Sequence, residues 1–307
     1  MITQSITIFI FTNIVIGLCI GSFLNVLIHR LPRMMDKSWR ADVTETLRHW
    51  QSSDEETDAD KTILGQAADT LENSTTRLYP TTYNLVTPNS SCPHCQHPIR
   101  PWENIPVISF LFLKAKCSAC KAPISWRYPS IELVTGILSG LAAWHFGPTL
   151  QLGGALVLIW FLVALTMIDI DTQLLPDSMT LPLVWLGLLF NMNHDAFISL
   201  PEAVIGAIAG YLILWSVYWV FKLLTGKEGM GYGDFKLLAA LGAWLGAMHL
   251  PVIILAASVS GLVIALVQMA GKQLGWGQRF PFGPYLAAGG LLALFWGKPI
   301  LTWYLGG

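Results

Sequence analysis

Long runs of apolar residues recur along most of this chain, separated by short polar stretches and one long polar segment. A helix needs about 20 apolar residues to cross the hydrocarbon core of a membrane. Eight runs approach that length, approximately Ile6 to Ile28, Ile131 to Phe146, Leu152 to Ile170, Ser178 to Met192, Ala203 to Leu224, Phe235 to His249, Val252 to Met269 and Tyr285 to Leu305. The pattern predicts an all-α polytopic membrane protein with about eight transmembrane helices. The fourth and sixth runs are short enough to be buried inside a helix bundle instead.

The positions of the basic residues indicate how these helices are oriented. The chain is 53% hydrophobic and only 12% charged, and twelve of its 18 lysines and arginines lie between Arg30 and Arg127. If there are eight spans, five more basic residues fall in loops on the same side of the membrane: Lys222, Lys227, Lys236, Lys272 and Arg279. Only Lys298 falls on the opposite side. Basic loops stay in the cytoplasm. We therefore expect a cytoplasmic first loop and two periplasmic termini.

The domain organisation follows from the same pattern. Residues 1–30 are predicted to form a first transmembrane helix, 31–130 a cytoplasmic loop domain and 131–307 a membrane-embedded domain. The alternative for the N-terminus is a cleavable signal peptide. The first run favours a retained helix because it is long, lacks a basic start and is followed by His29, Arg30 and Arg33.

Within the first loop, residues 36–79 form a polar insertion with ten acidic and five basic residues. Such a composition buries too little apolar surface to fold tightly alone. We expect a solvated or partly helical segment. A net acidic segment beside the membrane would attract basic peptides, although salt screens that attraction over about 8 Å.

Residues 92–124 contain an internal repeat, in which CPHCQHPI is followed 25 residues later by CSACKAPI. Two C-x-x-C knuckles supply four thiolates, Cys92, Cys95, Cys117 and Cys120, which suit a structural Zn²⁺ with no open position for catalysis. Two disulfides or a redox role are the alternatives, but disulfides rarely persist in a reducing cytoplasm. His94 and His97 could substitute as ligands.

Three carboxylates crowd the end of the third apolar run, in MIDIDTQLLPD. Asp177 follows Pro176 and precedes a new apolar run, which is typical of a helix N-cap or first-turn acid. Asp171 is expected to face the aqueous loop. Asp169 lies closest to the apolar run and has no basic residue near it in sequence, which makes it a functional candidate.

A fourth carboxylate, Asp234, stands among glycines in GMGYGDFKLL at the start of the sixth run. In the eight-span topology, Asp169 ends the third helix and Asp234 begins the sixth, so both lie at the cytoplasmic face. Two close carboxylates share a proton, and such a pair can hydrolyse a peptide bond. Gly231 and Gly233 would let an extended peptide approach, although such glycines also suit a helix start or close helix packing.

These motifs resemble those of the bacterial type IV prepilin peptidases. The likeness rests on GSFLNVLIHRLP, the paired knuckles with NIPVISFL between them, RYPSIE, DIDTQLLPDSMTLP and GMGYGDFKLLAALGAWLG, and it covers nearly the whole chain except the acidic insertion. The resemblance implies an inner-membrane aspartyl protease of the GxGD type, which removes the leader of type IV prepilins or type II secretion pseudopilins. It assigns the catalytic pair to Asp169 and Asp234 and the cysteine tetrad to the two knuckles.

Many members of the family also methylate the new N-terminus with S-adenosylmethionine. This chain has no glycine-rich nucleotide-binding fingerprint after a strand, so such a site must be built by the first loop and helix ends. Gly21, Asn25, Glu103 and Glu132 are candidates, and helix packing or interfacial solvation is the alternative for each. The expected partners are pilin precursors and membrane lipid, with no nucleic acid. A transporter or a membrane-anchored zinc-ribbon adaptor are the alternative functions.

Overall fold

The structure is a computed structural model that describes residues 2–53, 57–194, 196–271 and 280–305. Within these ranges the chain forms ten α-helices and no extended strand, which confirms the all-α prediction. They are α1 Ile2–Gln51, α2 Asp58–Leu78, α3 Ile108–Phe112, α4 Arg127–Phe146, α5 Leu150–Thr172, α6 Asp177–Phe190, α7 Leu200–Thr225, α8 Tyr232–Leu245, α9 Leu250–Ala270 and α10 Gly283–Leu305. Short 3-10 turns lie at Pro101–Asn104 and Ala247–His249.

Five helices in the described part of the chain are long and apolar enough to cross a membrane: α1, α5, α7, α9 and α10. The prediction of a polytopic membrane protein is confirmed, whereas the count of eight spans is not. The second, fourth and sixth apolar runs correspond to α4, α6 and α8, which do not qualify, and α6 and α8 have only 14 residues each. Three residues used to predict the orientation in the membrane lie outside the described residues: Lys272, Arg279 and Gly307. Residues 54–56 of the insertion also lie outside them.

The chain divides into a bundle unit, Met1–Leu24 with Arg127–Gly307, and a loop unit, Asn25–Trp126. The centre of the bundle unit is α8, whose side chains from Leu237 to Leu245 are all buried. Its backbone touches α7 directly, because a Cβ built on Gly206 would lie 2.2 Å from the carbonyl oxygen of Gly242. Small residues allow helices to approach this closely. The sixth apolar run is therefore buried inside the bundle, as its length allowed.

The acidic insertion is more helical than its composition predicts. Helix α1 continues to Gln51, well past the predicted end of the first helix near Ile28, and α2 follows from Asp58. Arg48 pairs with Glu72, and the Tyr79 hydroxyl donates to the Asp36 carboxylate at 2.6 Å. The first contact joins the end of α1 to α2, and the second joins α1 to Tyr79, the residue that follows α2. A helical hairpin therefore forms with little buried apolar surface.

Candidate active site and metal centre

Asp169 lies in the last turn of α5 and is only 4% exposed. Its Oδ2 accepts a hydrogen bond of 2.9 Å from the backbone N–H of Gly283. Gly283 is the first residue of α10, and the first N–H groups of a helix have no partner within that helix. Asp169 therefore caps α10 from a distant part of the chain, which gives this buried carboxylate a fixed orientation.

Asp234 lies in the first turn of α8 and is also buried, at 7% exposed. Gly231 is the N-cap of this helix, and its carbonyl accepts the backbone N–H of Asp234 at 3.2 Å. The N-terminus of a helix carries partial positive charge, which favours a carboxylate there. The start of α8 thus offsets part of the cost of burying this carboxylate.

Asp169 and Asp234 lie close enough for the charge of one to act on the other. Leu175, in the turn between α5 and α6, contacts the surroundings of both. A Cβ built on Gly283 would lie 3.2 Å from Leu175 Cδ2 and 2.7 Å from Asp169 Oδ2. A Cβ built on Gly233, the residue before Asp234, would lie 2.6 Å from Leu175 Cβ. The fold thus gathers two buried carboxylates around one leucine.

The two glycines singled out for substrate approach have different surroundings. Gly233 packs against Leu175, so the absence of a side chain there serves close packing within the protein. Gly231 has more space, since the nearest atom to a Cβ built there is Asp234 Oδ2 at 3.7 Å. Of the two, Gly231 leaves room beside a carboxylate of the pair.

The other two carboxylates of this region are held in ion pairs that the sequence did not indicate. Asp171 is exposed, as expected, and it binds both terminal nitrogens of Arg127, with a distance of 2.6 Å from Nη1 to Oδ1. Asp177 lies in the first turn of α6, as predicted, and its Oδ1 accepts a bond of 2.5 Å from Lys236 Nζ. These partners lie 44 and 59 residues away along the chain.

The loop that precedes α8 is anchored by another group of side chains that sequence reasoning missed. Lys222 Nζ lies 2.9 Å from Glu228 Oε1 and 3.2 Å from the Tyr218 hydroxyl. The Tyr218 ring contacts Tyr232 and Phe235, with centroid distances of 5.3 and 5.7 Å. Glu228 lies in the loop and Phe235 directly follows Asp234, so this cluster ties both to α7.

In the loop unit, the two cysteine knuckles have the same backbone geometry. In the first knuckle, the N–H of Cys92 donates to the carbonyl of His97, and the N–H of Gln96 donates to the carbonyl of Cys92. In the second, 25 residues later, the N–H of Cys117 donates to the carbonyl of Ala122, and the N–H of Lys121 donates to the carbonyl of Cys117. Gln96 and Lys121 both adopt positive φ, at 59° and 61°. A sequence repeat therefore becomes a structural repeat, and each turn presents two sulfur atoms.

The four cysteine sulfur atoms lie within 4.8 Å of one another. The Sγ atoms of Cys92 and Cys120 are 3.8 Å apart, and those of Cys95 and Cys117 are 4.0 Å apart. A tetrahedron of Zn–S bonds of about 2.3 Å has edges of about 3.8 Å, whereas a disulfide requires about 2.05 Å. The cluster fits a four-thiolate metal ion and not two disulfides.

The pKa values of the cluster's thiols are shifted in both directions. The Ala122 N–H lowers the pKa of Cys120, but desolvation and hydrogen bonds with the other three thiols outweigh it and raise that pKa to about 11. Hydrogen bonds from the N–H groups of Cys95 and His94 lower the pKa of the Cys92 thiol to about 7. Hydrogen bonds from the N–H groups of Cys120 and Ala119 likewise lower the pKa of the Cys117 thiol. Among the described residues, neither His94 nor His97 joins the cluster. His97 Nε2 instead lies 3.5 Å from a Glu103 oxygen.

The four candidates for an S-adenosylmethionine site do not form one pocket within either unit. In the bundle unit, α1 packs tightly on α4, since a Cβ built on Gly21 would lie 2.7 Å from the Cα of Glu132. Gly21 therefore allows the two helices to approach closely at that contact. Glu103 and Asn25 belong to the loop unit, where Glu103 accepts the backbone N–H of Arg100 at 2.9 Å.

Helices of membrane-spanning length, a buried carboxylate pair and a four-cysteine cluster define a polytopic membrane protein with a loop unit that could bind a metal ion. The profile described as "Bacterial Peptidase A24 N-terminal domain" matches residues 15–146, and that of the "Type IV leader peptidase family" matches residues 156–266. This chain belongs to the type IV leader peptidase family.

Three relatives share the name prepilin leader peptidase/N-methyltransferase. The protein from Pseudomonas aeruginosa is 50% identical over 297 residues, which cover 97% of this chain and 93% of that protein. Stutzerimonas stutzeri has one that is 52% identical, covering 97% and 94%. The Neisseria gonorrhoeae protein is 49% identical over 276 residues, covering 90% and 86%. No solved structure matches this chain. These likenesses disfavour the transporter and the adaptor.

Proposed function

We propose that this protein is a membrane endopeptidase that removes the leader of type IV prepilins or of type II secretion pseudopilins, and then methylates the new N-terminal amine. The relatives named prepilin leader peptidase/N-methyltransferase, which match nearly the full chain at about half identity, carry this proposal. The buried pair of Asp169 and Asp234 supplies the groups that peptide hydrolysis needs.

In the proposed reaction Asp169 and Asp234 act as a single unit. Two buried negative charges so close together are costly, so the pair holds one proton between its carboxyl groups. The ionised carboxylate takes a proton from a water molecule, which attacks the scissile carbonyl carbon. The protonated carboxyl group donates its proton to the carbonyl oxygen. The other carboxyl group then passes the proton it took from water to the leaving amine as the C–N bond breaks, and the first group recovers its proton from the collapsing intermediate. The Gly283 N–H keeps Asp169 oriented throughout.

The loop unit has a structural part in this proposal. Cys92, Cys95, Cys117 and Cys120 would hold one Zn²⁺ in a closed tetrahedral site, which stabilises the folded unit and takes no part in hydrolysis. For the second activity, S-adenosylmethionine would supply the methyl group to the free amine. Gly21, Asn25, Glu103 and Glu132 remain the proposed candidates for binding this cofactor.

We place the protein in the bacterial inner membrane, with the loop domain 31–130 in the cytoplasm, both termini in the periplasm and the peptidase domain in residues 131–307. The support is the charge bias, since twelve of 18 basic residues lie between Arg30 and Arg127. Asp169 near the end of α5 and Asp234 at the start of α8 would then work at the cytoplasmic face, where the basic leader of a prepilin remains.

The test is incubation of purified protein with a prepilin, followed by mass spectrometry with and without S-adenosylmethionine. We expect a product shortened by the leader in both reactions, and heavier by one methyl group only when the cofactor is added. An unprocessed substrate would contradict the proposal and favour a transporter or an adaptor. A shortened product that is never methylated would remove only the second activity.

Asparagine variants test the catalytic pair separately. Asp169→Asn and Asp234→Asn should abolish cleavage while the protein stays folded, because the amide keeps the volume but cannot shuttle a proton. The double variant should be no worse than either single one, since the groups act as a unit. Asp177→Asn is the matched control, because the Asp177 side chain is 59% exposed and binds Lys236, so it does not belong to the catalytic pair. Cleavage by Asp234→Asn near the wild-type rate would show that this assignment is wrong.

A further inference from the structure

The loop unit exposes a row of large apolar side chains between its two cysteine knuckles. We name it the apolar ridge, and its members are between 43% and 84% exposed: Trp102, Ile105, Ile108, Leu111 and Phe112. They fall within eleven consecutive residues of a unit that also contains the acidic hairpin, residues 36–79. Single exposed apolar residues are ordinary, whereas several on one helix face indicate an interaction site, and Ile108, Leu111 and Phe112 share a face of α3 at spacings of three and four residues.

The local backbone explains why these side chains point away from the unit. In α3 only Phe110 is buried, and its ring packs edge-on against Trp126 with a centroid distance of 4.8 Å. Val107 before the helix and Lys114 after it adopt positive φ, at 60° and 52°. A β-branched residue in that region is an outlier that persists only where the surrounding structure requires it. The segment is thus turned so that one aromatic ring holds it and the neighbouring apolar side chains remain outside.

Basic side chains flank the ridge. From Cys92 to Trp126 the chain has four cations and one acid, with Arg100, Lys114 and Lys116 next to the ridge in sequence. The single acid, Glu103, is engaged by the backbone of Arg100. The hairpin segment, residues 36–79, has the opposite balance, with ten acids and five bases. An apolar surface edged with positive charge and tryptophan suits an anionic lipid interface, where aromatic rings and lysines concentrate.

We propose that the apolar ridge docks the loop unit on the membrane by inserting into the headgroup region of an anionic phospholipid bilayer. The connectivity supports this occupant over a second copy or a soluble partner. The chain enters the loop unit from α1, whose apolar part is of membrane-spanning character, and leaves it at Trp126, directly before α4 of the bundle unit. Both ends of the loop unit are thus continuous in sequence with helices of the bundle unit, and one of these helices, α1, is of membrane-spanning character. Trp126 remains 69% exposed beside Phe110 and adds a second interfacial tryptophan.

Photocrosslinking of the full chain in vesicles tests the proposal. The probe variant is Phe112→p-benzoylphenylalanine, since Phe112 is the most exposed member of the ridge at 84%. The matched control is the same change at Ile63, which is 63% exposed on the acidic hairpin. We expect phospholipid adducts from position 112 and none from position 63. Adducts of position 112 with protein only, or no adduct there, would overturn the proposal.

The charge of the lipid provides the second arm. In vesicles with about a third phosphatidylglycerol, Lys114→Glu with Lys116→Glu should lower the lipid adduct at position 112 several-fold, and in phosphatidylcholine alone the change should be small. An equal yield in both lipids, with and without these substitutions, would overturn the part assigned to anionic headgroups. Zinc content and leader cleavage are measured in every variant, so that an unfolded loop unit or a failed enzyme is recognised independently of the lipid contact.

Discussion

The contact between Gly283 and Asp169 gives the sharpest prediction. In Gly283→Ala the new Cβ would lie 2.7 Å from Asp169 Oδ2 and 3.2 Å from its Cγ. A carbon and an oxygen atom need about 3.3 Å, so the carboxylate must move by about half an ångström or the start of α10 must shift. Either movement lengthens the hydrogen bond of 2.9 Å from the Gly283 N–H. The variant therefore changes the position of one carboxylate without removing it.

The size of the effect follows from that displacement. A misplacement of about 1 Å at a reacting group costs about 100-fold in rate, and a hydrogen bond to a charged group contributes about 1.5 to 3 kcal/mol. For about half of that displacement we expect kcat for leader cleavage to fall by about 10- to 100-fold, which equals about 1.4 to 2.7 kcal/mol. KM should change little because the displaced group acts in the chemical step. Alanine is a better helix former than glycine, so global stability should not suffer from helix propensity.

The assay measures kcat and KM with a prepilin, together with thermal unfolding. Gly153→Ala is the matched control, because Gly153 lies in α5, the helix that carries Asp169, and a Cβ built there meets no atom within 4 Å. It should keep kcat within about twofold of the wild type, as surface substitutions usually change energies by under about 0.5 kcal/mol. The reasoning is refuted if Gly283→Ala also stays within about twofold, or if its lost rate is matched by a lower unfolding temperature.

Three further predictions concern the metal, the packing and the topology. Purified protein should carry about one Zn²⁺ per chain, and Cys117→Ser should lower zinc content and folded yield together, because structural sites contribute folding energy; stable metal-free protein with titratable thiols would contradict this. Gly206→Ala should lower the unfolding temperature by several degrees relative to Gly153→Ala, since its Cβ would lie 2.2 Å from a backbone oxygen. A reporter inserted within residues 36–79 should behave as cytoplasmic and one fused after Gly307 as periplasmic, and a cytoplasmic C-terminus would refute the eight-span orientation.

The cysteine cluster was predictable because its geometry is local. The spacing C-x-x-C-x-x-P-I closes each knuckle through hydrogen bonds within six residues, and the second copy repeats them. The remaining step was to expect the two knuckles to meet, since four soft ligands suit one metal ion, and their four sulfur atoms do lie within 4.8 Å of one another. The periodicity likewise sufficed for the helical class, and the cost of a carboxylate in apolar surroundings pointed to Asp169 and Asp234.

Other features of the site depend on contacts that no local pattern records. Gly283 bonds to Asp169 across 114 residues, and Arg127 and Lys236 reach their acids across 44 and 59 residues. A glycine before a proline at a helix start was the only sequence signal for Gly283. The extension of α1 to Gln51 was also missed, because composition shows how little the hairpin buries but not which ion pairs its two helices make.

The sequence by itself determined the helical class, the membrane character, the candidate metal ligands and the two candidate aspartates, since these follow from periodicity, composition and spacing within a few residues. Only the tertiary structure decided that α8 lies buried at the centre of the bundle and that Leu175 and Gly283 surround the carboxylate pair. The physical reason is that Gly206 and Gly242 let two helix backbones touch. Such close packing depends on which residues far apart in the chain face each other, and it sets where a buried carboxylate can meet its partner.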